Sequence, residues 1–492
     1  MTSTISNRTK LQNLGLVLAF VVLVIILAIP SPDTLSTGGH RMIAILAFAI
    51  ILWMTSAVSY PVSATMITAL TALLLGFSPN PEAPSKMMGT SNALKLIISG
   101  YSSPAMILVA AAMFISVAMR KTGLDRRIAL NVLSAVGTKV SRIYLGVLIT
   151  GFILAFFVPS ATARLACLAP IIIGIVESLG INKKSQVAAL LMVGATQADT
   201  FWNIMIQTAA AQNLVAVGFM QSQLHTSISW TDWLIAGAPY SIVMVTILYF
   251  LTKAFIKPEF SELVGGNVQI ANMRREIGSM STNEKKLLAI SLGLLALWAT
   301  GGKLHSIDTT TTTIIAIALF FFPGIGIMDW KFAQSNIDWG SIIMFGAGIG
   351  LGSVLLKTKA ATWLAGVFVS AFSLETASVF TLIAIMSAFL IAIHLGFASA
   401  TALSSAMIPI VISILLGHSA DGLNPVGVTM LMQFAICFGL VLPVNSPQGM
   451  VAYGTDTFDV KTFMRTGIPL TIIGYLMMLV FALTYWHWIG LS

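Results

Sequence analysis

Apolar segments long enough to cross a bilayer follow one another along most of this chain. Residues 13–30 (NLGLVLAFVVLVIILAIP) and 41–58 (RMIAILAFAIILWMTSAV) each approach the roughly 20 residues that carry a helix across about 30 Å of hydrocarbon. A third span follows, then a polar, proline-containing stretch at 76–92 and a fourth span at 103–119. Residues 123–137 (GLDRRIALNVLSAVG) are shorter and amphipathic, with Arg126 and Arg127 on the polar face, as suits a helix lying in the membrane interface. The apolar region 233–255 closes a first half, and 256–286 is the only long hydrophilic stretch. With Lys253 included, that stretch holds six Lys/Arg against four Asp/Glu. The pattern predicts an all-α polytopic membrane protein of about eleven spans plus re-entrant pieces. Its organisation is a first half at 1–255, a cytoplasmic linker at 256–286 and a second half at 287–492.

The two halves repeat each other. SATARLACLAPIIIGI begins at Ser160 and SATALSSAMIPIVISI at Ser399; they agree at Ser, Ala, Thr, Ala, the proline (Pro170 and Pro409) and three isoleucines. Upstream, 338–365 matches 102–129 in design: an apolar span, then Lys-Thr, then a short amphipathic piece. Such duplication marks secondary transporters built from two repeats, often inverted, that meet at a midplane site made of broken helices. An odd number of spans in each repeat makes the copies antiparallel.

The repeated phrase fails as an uninterrupted helix. Pro159, Ser160 and Thr162 interrupt an apolar region, and a backbone break at that depth must be buried in protein or line a wet cavity. Two half-helices meeting at a turn satisfy this and present free N–H donors and positive dipole ends, which suit an anion. Ser and Thr hydroxyls add donors, and their oxygens equally ligate a hard cation. Each phrase is followed by a second polar interruption: QADTFWNIMIQTAAAQN at 197–213 and GLVLPVNSPQGMVAYGTDTF at 439–458. There Asn445, Ser446 and Pro447 form one break, with Gln207 and Thr208 in the corresponding place.

The paired Ser-x-Thr tips, KTGLDRRIAL, PVNSPQGMVAYGT and the closing FMRTGIPLTIIGYLMMLV together resemble the divalent anion/sodium symporter family over nearly the whole chain. The resemblance implies a homodimeric, inverted-repeat transporter of di- and tricarboxylates, sulfate and related anions, in which a transport domain carries the site past a fixed scaffold. It places substrate contacts at Ser160, Thr162, Ser399, Thr401, Asn445, Ser446 and Pro447, with Thr208 as the first-half partner. Sodium, as coupling ion, falls at Ser160, Ala161, Ser399, Ala400 and Asn445. The family's tip motif is Ser-Asn-Thr, so Ala161 and Ala400 remove two amide donors and two amide oxygens. Arg164 makes the first tip similar to the form carried by the family's dicarboxylate-exchanger branch; its cation either replaces the missing donors or sits behind them.

Composition fits this frame: 57% of the residues are hydrophobic and only 9% charged, against roughly a quarter charged in soluble domains. The net charge of +9 lies in loops rather than on a nucleic-acid surface. Arg8 and Lys10 precede the first span, which puts the N-terminus in the cytoplasm, and the first span reads as retained helix. Cys167 and Cys437 read as buried free thiols, and Trp486 with Trp488 as an aromatic belt. Glu177 and Asp456 read as interfacial. Asp199 and His394 are intramembrane ionisable groups, each either a proton or cation site or a hydrogen-bonded core residue. FGAGIGLGS at 345–353 lacks the strand-turn-helix setting of a phosphate loop and reads as close helix packing. No converging acid, base or nucleophile points to an enzyme, and duplicated broken tips fit a channel less well than a transporter. The expected protein is a transporter of small divalent anions, di- or tricarboxylates first, in a bacterial inner membrane, without nucleic-acid partner or bound cofactor. It is sodium-coupled or an exchanger, with a proton-coupled carrier of sulfate or sulfonate as the alternative.

Overall fold

The computed structural model describes residues 9–80, 83–263, 265–418 and 422–492. Arg8, from the basic N-terminus, and Pro81 and Glu82, from the polar stretch, lie outside the described residues. A capping box between Thr9 and Gln12 starts α1 (Lys10–Ala28), which is apolar around its whole circumference and packs on α2 (Thr37–Thr55). Next come α3 (Tyr60–Gly76), a small hairpin of β1 (Pro79–Asn80) and β2 (Ala83–Met87), and α4 (Thr90–Ile98).

The first repeat runs α5 (Pro104–Thr122), α6 (Leu124–Ala135), α7 (Val140–Phe157), α8 (Ala161–Ser178), α9 (Gln186–Met205), a single 3-10 turn at Gln207–Ala209, α10 (Ala211–Gln223) and α11 (Trp230–Phe255). The polar stretch that follows contains α12 (Gly266–Glu276), and α13 (Thr282–Thr300), α14 (Thr309–Phe321) and α15 (Trp330–Asn336) come after it. The second repeat has the same order: α16 (Trp339–Lys357), α17 (Ala360–Ala371), α18 (Val379–His394), α19 (Ala400–Leu416), α20 (Pro425–Ile436), a 3-10 turn at Pro443–Asn445, α21 (Pro447–Tyr453) and α22 (Val460–Leu483). A last turn, α23 (Tyr485–Trp488), ends the chain.

The repeats agree in their joints as well as their order. Gly123 joins α5 to α6 in the left-handed region at φ +75°, and Lys359 joins α16 to α17 at φ +60°. Lys359 has a Cβ, so this conformation costs it about 1–2 kcal/mol that Gly123 does not bear.

Eight helices among the described residues are long and apolar enough to cross a membrane: α1, α2, α5, α7, α8, α11, α16 and α22 with its continuation into α23. The other apolar segments form helices of 10–17 residues, namely α3, α14, α17, α18, α19 and α20. Several of these are short because the site interrupts them.

The glycines at 346, 348, 350 and 352 belong to α16 and give it two close-packing faces. A Cβ on Gly346 or Gly350 would collide with the Tyr101 ring or the Ile97 carbonyl, while one on Gly348 or Gly352 would meet Ser405 or the Phe219 ring and Pro409. Thus α16 presses against α4 on one side and against the site-bearing α19 and α10 on the other.

The polar stretch between the halves is tied down. Arg127 on α6 donates to both carboxylate oxygens of Glu284 at 2.6 and 3.1 Å and to the carbonyls of Ile277, Gly278 and Ser279. Glu259 accepts from the backbone N–H groups of Gln186 and Val187, at the start of α9.

Candidate anion site

Both copies of the repeated phrase begin a helix in the same way. Ser160 caps α8 at φ −155°, ψ 113°, its hydroxyl accepting from Ala163 N at 3.3 Å. Ser399 caps α19 at φ −151°, ψ 117°, accepting from Ala402 N at 3.3 Å. The chain breaks before Ser160 because Pro159 lacks an N–H and biases Val158 to extended backbone, where it lies at φ −116°, ψ 97°. The cap hydroxyl satisfies one N–H of each helix, and the N–H groups of Ala161, Thr162, Ala400 and Thr401 have no acceptor within their own helices.

The second pair of breaks also matches. Ala210 precedes α10 at φ −148°, ψ 138°, and Ser446 caps α21 at φ −147°, ψ 146°, accepting from Gly449 N at 3.1 Å. Each follows its 3-10 turn directly, which pairs Ala209, Ala210, Ala211 and Gln212 with Asn445, Ser446, Pro447 and Gln448. The sequence-based pairing of Gln207 and Thr208 with Asn445–Pro447 is therefore out of register. Where the second half carries asparagine, serine and proline, the first carries three alanines.

A cavity of about 410 Å³ lies where these four helix starts meet. Its polar wall includes Ser160, Thr162, Ser399, Thr401, Ser446, Gln212 and Gln448, with Ala161, Ala400 and Pro447 between them. Val109, Met113, Leu214, Met344 and Phe345 form an apolar wall, and Tyr60, Arg120, Ser341 and Asp338 also face the space. The Tyr60 hydroxyl stands beside the Ser399 side chain. Three helices of 13 or more residues start here, so partial positive charge and unpaired N–H donors converge on one volume. The arrangement provides hydrogen-bond donors from several directions for an oxyanion ligand.

Three residues named from the sequence do not line the cavity. Arg164 is completely buried and donates inward: to Asp199 Oδ1 at 2.9 Å, Asn203 Oδ1 at 2.5 Å, and the carbonyls of Val158 and Ala209 at 2.8 and 2.9 Å. It is bound to the two breaks of the first repeat, behind the cavity wall. Asn445 does the equivalent work in the second repeat. Its amide donates to the carbonyls of His394, Leu395 and Phe397 at 3.2, 3.0 and 3.2 Å, and its Oδ1 accepts from Leu442 N. Thr208 is turned the other way, where its hydroxyl accepts from Trp230 Nε1 at 3.1 Å.

The remaining ionisable and aromatic candidates also find places. Asp199 is the ion-pair partner of Arg164, with its Oδ2 left unpartnered among the described residues. His394 borders the cavity and hydrogen-bonds the Asn445 carbonyl at 3.1 Å. Glu177 is exposed, and Asp456 is exposed and paired with Lys183 and Lys184. Cys437 is buried, whereas Cys167 is half-buried. Trp488 is exposed, but Trp486 is enclosed, donating to the Ala236 carbonyl at 2.8 Å. It packs the end of the chain against α11 and is not part of a belt, a placement its distance in sequence from Ala236 conceals. Sequence reasoning missed Gln212, Gln448, Asn203, Tyr60 and Arg120 as cavity residues. The polar pattern around 197–213 and 439–458 contained the first three, but nothing in it distinguished cavity-facing amides from those bonded to backbone.

Relatives give this architecture a context. A membrane protein of Cupriavidus necator is 51% identical, the match covering 97% of this chain and 93% of that one. The sodium-dependent dicarboxylate transporter SdcS of Staphylococcus saprophyticus is 26% identical over 94% of this chain and 89% of its own length. An L-tartrate/succinate antiporter of Escherichia coli is 27% identical over 95% and 96%. Among solved structures, the YdaH transporter of Alcanivorax borkumensis shares the fold with a TM-score of 0.56 at 13% identity, covering 88% of this chain and 98% of that one. With residues 10–492 matching the sodium:sulfate symporter transmembrane region, the chain belongs to that family of membrane transporters.

Proposed function

We propose that this protein moves small divalent anions, di- or tricarboxylates first, across a bacterial inner membrane by secondary transport. The observation that carries the reading is the convergence of three long helix N-termini and the tip hydroxyls of Ser160, Thr162, Ser399, Thr401 and Ser446 on one cavity. Such donors hold an anion without a buried counter-charge. Dicarboxylate relatives of similar length support the substrate class. The matched repeats are read as inverted, with an elevator movement of the tip-bearing helices in a homodimer and a cytoplasmic N-terminus.

Coupling is read from Arg164. Carbonyls of unwound segments coordinate sodium in broken-helix transporters. Here the guanidinium already donates to the carbonyls of Val158 and Ala209, and the Asn445 amide to that of Phe397. Built-in donors thus occupy both sets of carbonyls, which favours anion exchange over the sodium coupling of the family expectation. Counterflow separates the two. Proteoliposomes loaded with unlabelled succinate should take up labelled succinate equally with and without a sodium gradient. Uptake that requires external sodium and ignores trapped anion would refute exchange.

A further inference from the structure

The geometry points to Gln212 and Gln448 as a paired set of amides that bind the two ends of the substrate and set its specificity. This rests on the anion-binding reading above and goes on to the residues that select among anions. Both hairpin tips carry alanine at their first helical residue, Ala161 and Ala400, so the tip side chains on either side contribute only hydroxyls. Four amides among the described residues line the cavity; Asn203 and Asn336 sit on α9 and α15, while Gln212 and Gln448 come from the other pair of breaks. Gln212 is the second residue of α10 and Gln448 the second residue of α21, each two positions after an extended residue with almost the same φ, −148° at Ala210 and −147° at Ser446. The duplication thus brings one glutamine from each repeat to the same cavity.

Among the amides lining the cavity, these two are the ones with neither end held by a strong hydrogen bond, since Asn336 donates to the Phe332 carbonyl. Asn203 gives its oxygen to Arg164, Asn213 donates to the carbonyls of Asn203 and Ile206, and Asn445 is fully used. Gln433 accepts from Ser404. By contrast, Gln448 is only 7% exposed, lines the cavity and makes no hydrogen bond among the described residues. Gln212 has one weak contact, to Cys437 Sγ at 3.9 Å. Neither amide is sealed in the protein interior: both face the cavity, where their donors are open to a ligand that accepts from them. Each amide supplies two N–H donors, and a carboxylate offers lone pairs for both. Two amides delivered from separate repeats match an anion with two separated ends better than a compact tetrahedral one.

Binding to the purified full-length chain, measured by titration calorimetry with succinate and with sulfate, tests this on wild type and the Gln212→Leu, Gln448→Leu and double variants. The double variant should lose about tenfold or more in succinate affinity, with a smaller loss for sulfate and an unliganded melting temperature close to wild type. The isosteric Gln448→Glu variant guards against a packing effect: it keeps the shape, adds a negative charge and should abolish succinate binding. Succinate affinities within twofold of wild type in the double and Gln448→Glu variants would overturn the inference while leaving the anion site standing. A wild-type chain that binds neither anion would overturn both.

Discussion

The Arg164 guanidinium reaches the carbonyls of Val158 and Ala209, while the Asn445 amide reaches that of Phe397. In the register of the repeats, Val158 corresponds to Phe397 and Ala209 to Asn445, so one bridge between hairpin and broken helix is made in both halves by different chemistry. The energetic consequences differ. Removing one partner of a buried ion pair strands the other, so Arg164→Ala should cost about 3–5 kcal/mol of stability, and adding Asp199→Ala should restore part of it. Asn445→Ala removes neutral donors and should cost about 1–3 kcal/mol. Unfolding midpoints in detergent for the three variants check the order. At this scale the sequence identified polar residues but not their direction. Arg164 and its acceptors Asp199 and Asn203 lie 35 and 39 positions apart, on different helices, so no local pattern shows that the cation faces away from the cavity.

At the scale of elements, the hairpin tips were legible because their signal is local. In the first half proline beside serine stops one helix and a serine cap starts the next; the same Ser-Ala-Thr-Ala start recurs in the other half, after Ala398 in place of the proline. The second pair of breaks was legible as a pair but not in register, since Ala209, Ala210 and Ala211 carry no polar mark to align with Asn445, Ser446 and Pro447. The glycine run in α16 was read correctly as packing, and the structure shows what it packs against. Gly350→Ala should be strongly destabilising because its Cβ would run into the Ile97 carbonyl, a backbone atom that cannot turn aside. Gly366 has open space around it, so Gly366→Ala should be neutral or slightly stabilising, which makes it the control. Lys359→Gly should raise stability by up to about 1 kcal/mol, the left-handed strain relieved less the added freedom of the unfolded chain. Thermal melts of the three variants side by side read all of these.

For the whole molecule, two halves of matching order bring their four broken segments to one cavity. Membrane residence and duplication were legible from composition and repetition, because both are properties of the entire chain. The cavity was not, since it exists only when segments hundreds of residues apart meet: Ser160 from α8's cap and Ser399 from α19's. The account's central claim is that this meeting point binds and carries the transported anion. The most direct measurement is uptake of labelled succinate, malate, citrate and sulfate into proteoliposomes loaded with unlabelled anion, comparing wild type with a Ser160→Ala/Ser399→Ala variant. Loss of two helix caps should cost about 1 kcal/mol each, small enough for the variant to be purified folded. The account predicts uptake of at least one dicarboxylate by wild type and a loss of at least tenfold in the folded variant. Uptake unchanged by the double substitution, or no uptake of any of the four anions by wild type, would contradict it.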